Sequence, residues 1–312
     1  MDRIMVDNWF LREVAHYRQD PAGQDPKPYA ELLMALVLWD VVCFPKNERS
    51  AVWAGSGELA DCLTPIDDTG ETLGPGAAEL LIGIMGEDGL PDPYFLWLSD
   101  PEQIVNASAL RYLMLSAKHG CDYLPAPRRQ VFLQEHRAPK YMKGILTRMQ
   151  LQNYLDEAAA AYYKETYEAL LDFSSLELSM PVLADYVVRT APAELSPLQY
   201  ALHLRQEGPV VRYRSYLRSV EEALEQQQWK ELRRLLAASK EAVDEVIALD
   251  QKRLSGVTVK LLPAPALTAN YRGVRTELSA SPALSLELNP RRMHLSFLRD
   301  LTDYAINERK LL

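Results

Sequence analysis

No run of apolar residues in this chain approaches the roughly 18 that a membrane span requires. The opening, MDRIMVDNWF, has an early acid and a short mixed segment where an export signal would have cations and a long apolar core. The expectation is a soluble, cytoplasmic protein with no membrane contact. Cysteine is scarce. Cys43, Cys62 and Cys121 are the only three, none stand at C-x-x-C spacing, and pairing two would leave one over. Buried free thiols in a reducing compartment are the expected state. The five histidines, His16, His119, His136, His203 and His294, show neither H-x-x-x-H nor H-E-x-x-H spacing, so no zinc site is expected. Glycine signatures are missing too: neither G-x-x-x-x-G-K-[ST] nor G-x-G-x-x-G occurs, which removes the common nucleotide-binding turns. WAGSGELAD offers Gly-Ser-Gly rather than G-x-S-x-G, and Ser56 reads as a turn or capping residue instead of a nucleophile. Positive charge is in deficit. With 34 Lys and Arg against 43 Asp and Glu, the net charge is -9. That argues against coating nucleic acid through overall charge and leaves room only for a local basic patch.

What is present is the balance of a globular protein, 48% hydrophobic and 25% charged over 312 residues. Ile4 to Val6 read as a short strand ending at Asp7, which can cap a helix whose buried stripe is Phe10, Val14 and Tyr17. The proline-rich QDPAGQDPKP is a loop, YAELLMALVLWD a strongly apolar helix, and VVCFP a β-branched run stopped by Pro45. A helix is expected over 76–89 and an extended run over 90–98. Asp100 and Pro101 then form a cap and first-turn pair for a helix ended by Gly120, and CDYLP is the strand that follows. Helices alternating with short apolar runs are the pattern of an α/β layer with a parallel sheet. Beyond about residue 138 the text turns helical, punctuated by proline and glycine, with strand-like runs near 257–288. The expected fold is therefore a three-layer, Rossmann-like α/β domain over residues 1–138. A mainly helical domain follows over 139–312, with a small β element near 257–288.

The acids raise a chemical possibility. Asp7 ends the first strand, Asp40 and Glu48 flank VVCFP, and Asp122 lies in the strand after the Gly120 turn. Carboxylates gathered at one edge of a parallel sheet supply the hard oxygen ligands that Mg²⁺ or Mn²⁺ needs, leaving metal-bound water free to attack a phosphodiester. The order IMVDN, then a helix into LWDVVCFP with Glu48 just beyond, then a helix into GCDYLP, resembles a PIN-like nuclease domain over roughly residues 3–135. The resemblance implies a PIN-like α/β core with Asp7 and Glu48 as the first two metal ligands, and Asp122 is the third candidate for the catalytic and metal set. The sequence departs from that pattern at two places. Asn106 or the more distant Asp100 stands where the family begins its later helix with an acid. LPAPRR replaces the Ser/Thr-x-Asp that usually follows the late strand, removing a carboxylate and adding two cations. The competing reading keeps Asp7 as a helix cap and Asp40 and Glu48 as solvated loop acids.

The arginines form a second set. Arg128 and Arg129 follow Pro127 at a helix start, and RQEGPVVRYRSYLRS places Arg212 and Arg214 beside Tyr213 and Tyr216. Both pairs follow a proline where free backbone N–H groups favour anions, so the four are expected to line one anion-binding cleft. The alternative is that they pair with surplus acids. Displaced acids and added cations point to a non-catalytic or regulatory binding protein on a degenerate PIN-like core, contacting a protein partner or RNA and needing no cofactor. The alternative function is a Mg²⁺- or Mn²⁺-dependent ribonuclease of toxin or defence type.

Overall fold

The computed structural model describes residues 2–46, 53, 57–67, 101–135, 148, 152–162, 180–254 and 293–308. The helix expected over 76–89, the extended run over 90–98, the β element near 257–288, and Glu48, Ser56, Asp100 and His136 lie outside the described residues.

A four-stranded, all-parallel sheet organises the first part of the chain, in the order β3-β2-β1-β4. Its strands are β1 (Arg3–Val6), β2 (Val41–Pro45), β3 (Thr64–Ile66) and β4 (Asp122–Leu124). The register sets Ile4 beside Val42 on one side and beside Asp122 on the other. Ile4, Met5 and Val6 are wholly buried, as a central parallel strand covered on both faces must be. Because side chains alternate across a strand, Met5, Cys43 and Tyr123 share one face. There they pack with Leu110, Leu113 and Leu115 of α4 (Pro101–Lys118). Gly120 stops that helix at φ +60°, a conformation in which a side chain is strained. The three cysteines are free and buried.

The helix α1 (Asn8–Gln19) starts directly at Asp7, and α2 (Lys27–Leu38) follows after the proline loop. Every residue of α2 from Pro28 to Leu38 is buried. A helix that is apolar nearly all round needs cover on every side, and α2 receives it from β2, α1, α6 (Val182–Thr190) and α7 (Pro197–Leu204). That demand explains the division of the chain. The first compact unit is Met1–Asn153 with Leu178–Gln206, and the second is Tyr154–Glu177 with Glu207–Leu312. The sequence boundary at 138 assigned α6 and α7 to the helical half, whereas they pack on the α/β unit. The first unit also contains the short α3 (Glu58–Cys62) and α5 (Pro127–Glu135).

In the second unit α8 (Gly208–Glu225), α9 (Trp229–Leu254) and α10 (Ser296–Asn307) pack pairwise. Tyr213 of α8 lies against Phe297 of α10 with ring centroids 5.8 Å apart. The Tyr216 hydroxyl donates to the Leu235 carbonyl of α9 at 2.7 Å. The protein is thus mixed α/β with mostly helical content. Among the described residues no helix is long and apolar enough to cross a membrane.

Candidate functional site

In an open α/β sheet, ligands usually meet the carboxyl ends of the strands where the strand order reverses. Here the chain runs from β1 outward through β2 to β3, then returns to place β4 on the other side of β1. The reversal therefore lies between the carboxyl ends of β1 and β4, at Asp7 and the turn from Leu124 to Pro127.

Asp7 is fully buried there. As the cap of α1, its Oδ1 accepts from the backbone N–H groups of Trp9 at 2.9 Å and Phe10 at 3.0 Å. Its Oδ2 accepts from the Tyr123 hydroxyl at 2.7 Å and the Ala126 N–H at 3.0 Å. Arg129, on the first turn of α5, completes the set with its guanidinium 2.5 Å from Oδ1. The two side chains of this ion pair are 3% and 0% exposed. Arg129 also donates to Asn8 Oδ1 at 3.2 Å, and the same oxygen accepts from the Tyr112 hydroxyl at 2.9 Å. The guanidinium carbon sits 4.8 Å from the ring centroids of both Trp9 and Tyr112, in cation–π contact with each.

The electrostatics favour this arrangement. Burial by itself lowers the Arg129 pKa, but Asp7 and neighbouring groups hold it above its ordinary value. Burial first, and then the Asp7 carboxylate, push the Tyr123 hydroxyl well above the usual tyrosine range, so it stays neutral and donates. A carboxylate offers about four lone-pair sites, and the Asp7 carboxylate already faces five donors, one of them a cation. A hard divalent ion needs free oxygen ligands and would have to displace Arg129 to reach this one. The residues around Asp7 do not fit Mg²⁺ or Mn²⁺.

The other acids lie elsewhere. Asp122 pairs with Ile4, so Asp7 stands three residues further along the strand direction, on the order of 10 Å away at strand rise. Asp122 Oδ2 accepts from the indole N–H of Trp39 at 2.8 Å. The structure does not bring Asp7 and Asp122 together, and Glu48 lies outside the described residues. Among the described residues no group of three His, Cys, Asp or Glu side chains is arranged to hold a metal ion. At this amino edge Asp40 Oδ2 accepts from the Asp2 backbone N–H at 2.7 Å. Buried Arg148 donates to Asp2 Oδ2 at 2.9 Å and to the Leu38 carbonyl at 2.5 Å, and its guanidinium lies 4.5 Å over the Trp39 ring. Both ends of the sheet are thus fastened by a buried arginine.

Of the four arginines expected to bind an anion, Arg129 is 2% exposed and Arg214 is 6% exposed. Arg212 donates through Nε to the Met293 carbonyl at 3.3 Å. The side chain of Arg128 lies outside the described residues. Arg128 and Arg129 belong to the first unit, Arg212 and Arg214 to the second. Sequence reasoning missed Trp9, Asn8, Tyr112 and Tyr123 as partners in the site. A signal existed for Asn8 and Trp9, which directly follow Asp7, and for Tyr123, which is next to Asp122.

No protein-family model, curated protein or solved structure matches the chain.

Proposed function

We propose that the chain is a non-catalytic, regulatory binding protein on a degenerate PIN-like core, and that its target is another protein. The observation that carries the proposal is the Asp7–Arg129 ion pair. Among the described residues, a guanidinium is the counter-ion of the Asp7 carboxylate at the strand-order reversal, where a metal-dependent nuclease would gather several acids around a divalent cation. A saturated carboxylate and a hydroxyl held neutral have no means of activating water there. The protein target is favoured over RNA because Arg129 and Arg214 are buried and so cannot offer their charge to phosphates.

Thermal denaturation of the full chain with increasing Mg²⁺ or Mn²⁺ tests the reading, together with incubation of a short RNA under the same conditions. A cation bound only by the folded state and present at 100 times its dissociation constant would stabilise by about 2.7 kcal/mol, raising the melting temperature by several degrees. The expected result is a melting temperature unchanged within about 1 °C and intact RNA. A Mn²⁺-dependent rise that Asp7→Asn abolishes, accompanied by RNA cleavage, would establish the ribonuclease instead.

A further inference from the structure

We infer that an exposed flank of the first three turns of α9 is a docking surface for an acidic, amphipathic helix of a partner protein. Trp229 is 55% exposed and Leu236 is 42% exposed. They are seven residues apart, which brings them to the same side of a helix two turns on. Leu232, half-buried between them, completes an i, i+3, i+7 set of apolar anchors, the spacing by which one helix seats against another. Arg233 and Lys240 each stand four residues beyond an anchor and are likewise seven apart, so they form a cationic flank along the same stripe. Both are exposed, as is Lys230. From Trp229 to Lys240 the chain has four cations and one acid, and that acid, Glu231, is engaged by Arg234. This local reversal in a chain of net charge -9 selects an anionic partner.

The adjoining side of the helix is already used. The Tyr216 hydroxyl of α8 donates to the Leu235 carbonyl and lies within hydrogen-bond distance of the Ser239 hydroxyl, and Ala242 and Val243 are buried. The stripe therefore runs alongside the packing of α8 against α9 and ends at Leu236, because Val243, seven residues further on, is buried. Two features favour a helix over a nucleic-acid strand as the occupant. A stacked base would engage Trp229 alone, leaving the second anchor, Leu236, in water. The seven-residue repeat of both anchors and cations also matches the repeat of a helical partner. A second copy of the same stripe would set cation against cation. The inference goes beyond the reading of Asp7 and does not depend on it, because the surface lies in the second unit.

Fluorescence anisotropy on the full chain tests it with labelled peptides of about 20 residues, long enough to form a helix. One has leucine at heptad core positions with glutamate flanking them, a second has lysine in place of glutamate, and a third is the acidic peptide scrambled. An oligouridylate of about 12 nucleotides serves as the nucleic-acid probe. The acidic amphipathic peptide is expected to bind, and Trp229→Ala and Leu236→Ala each to weaken it at least about 10-fold. Arg233→Glu with Lys240→Glu should abolish that binding and confer binding of the lysine peptide. All these side chains are exposed, so melting temperatures should match that of the unaltered chain. The inference is overturned if the acidic peptide does not bind, if the scrambled peptide binds as tightly, or if Trp229→Ala changes nothing. Trp229-dependent binding of oligouridylate in place of the peptide would overturn it in favour of a nucleic-acid surface. Failure here leaves the metal titration untouched, and failure there leaves this surface untouched.

Discussion

Arg129→Met is the most direct probe of the network at the end of β1. Methionine has similar length and an apolar, flexible chain that can lie between Trp9 and Tyr112, so the substitution removes charge more than volume. Removing one partner of a buried pair typically costs about 3–5 kcal/mol, because the other charge is left uncompensated. Asp7 retains four donors in the variant, and Asn8 retains the Tyr112 hydroxyl, so the lower end, about 3 kcal/mol, is expected. Asp7→Asn should also destabilise, since an amide nitrogen placed at Oδ2 would meet the Ala126 N–H donor to donor. The double variant removes both charges, and its cost should fall short of the sum by about 2 kcal/mol, within the range seen for contacting residues. Urea denaturation of the full chain, followed through the transition of the first unit, supplies the four free energies of this cycle. Single costs below about 1 kcal/mol, or additivity within about 0.5 kcal/mol, would refute the claim that these two side chains form one buried unit.

A pH-dependent effect is expected at Glu31. Burial raises its carboxyl to about 7 from the ordinary 4.5; Lys27 opposes that shift, and Asp25 and Glu13 add to it. Its Oε2 has no hydrogen-bond partner among the described residues. Because the folded-state value is the higher one, the stability it contributes is fully present below about 4.5 and is lost as pH rises through about 7. Glu31→Gln should remove that loss and gain on the unaltered protein by on the order of a few kcal/mol between pH 5 and pH 8; parallel denaturation curves at both pH values would contradict it. Leu36, wholly buried in α2, tests the core: Leu36→Asp should destabilise by at least about 4 kcal/mol, and a soluble variant with an unchanged melting temperature would place this helix elsewhere.

Local chemistry makes several elements legible in the sequence alone. An aspartate between a short β-branched run and a helical stripe reads as a strand end and a helix cap, and Asp7 is both. Gly120 is readable as a helix stop because few other residues take a positive φ there. The near-continuous apolar character of α2 requires burial, and three cysteines in apolar stretches, without pairing spacings, read as the buried free thiols observed. Each of these signals acts over a few residues, where backbone sterics and side-chain periodicity decide the outcome. The partners of Asp7 are not legible in that way, because Tyr123, Ala126 and Arg129 lie 116 or more residues further along the chain. They reach it only through the parallel pairing of β4 with β1. Sequence marks Arg128 and Arg129 equally, yet only the angular phase of α5 determines that Arg129 turns inward to the carboxylate. The attachment of α6 and α7 to the first unit is likewise tertiary. Their amphipathic faces state that something must be covered, but it is the exposed flank of α2, left bare by the sheet, that determines what.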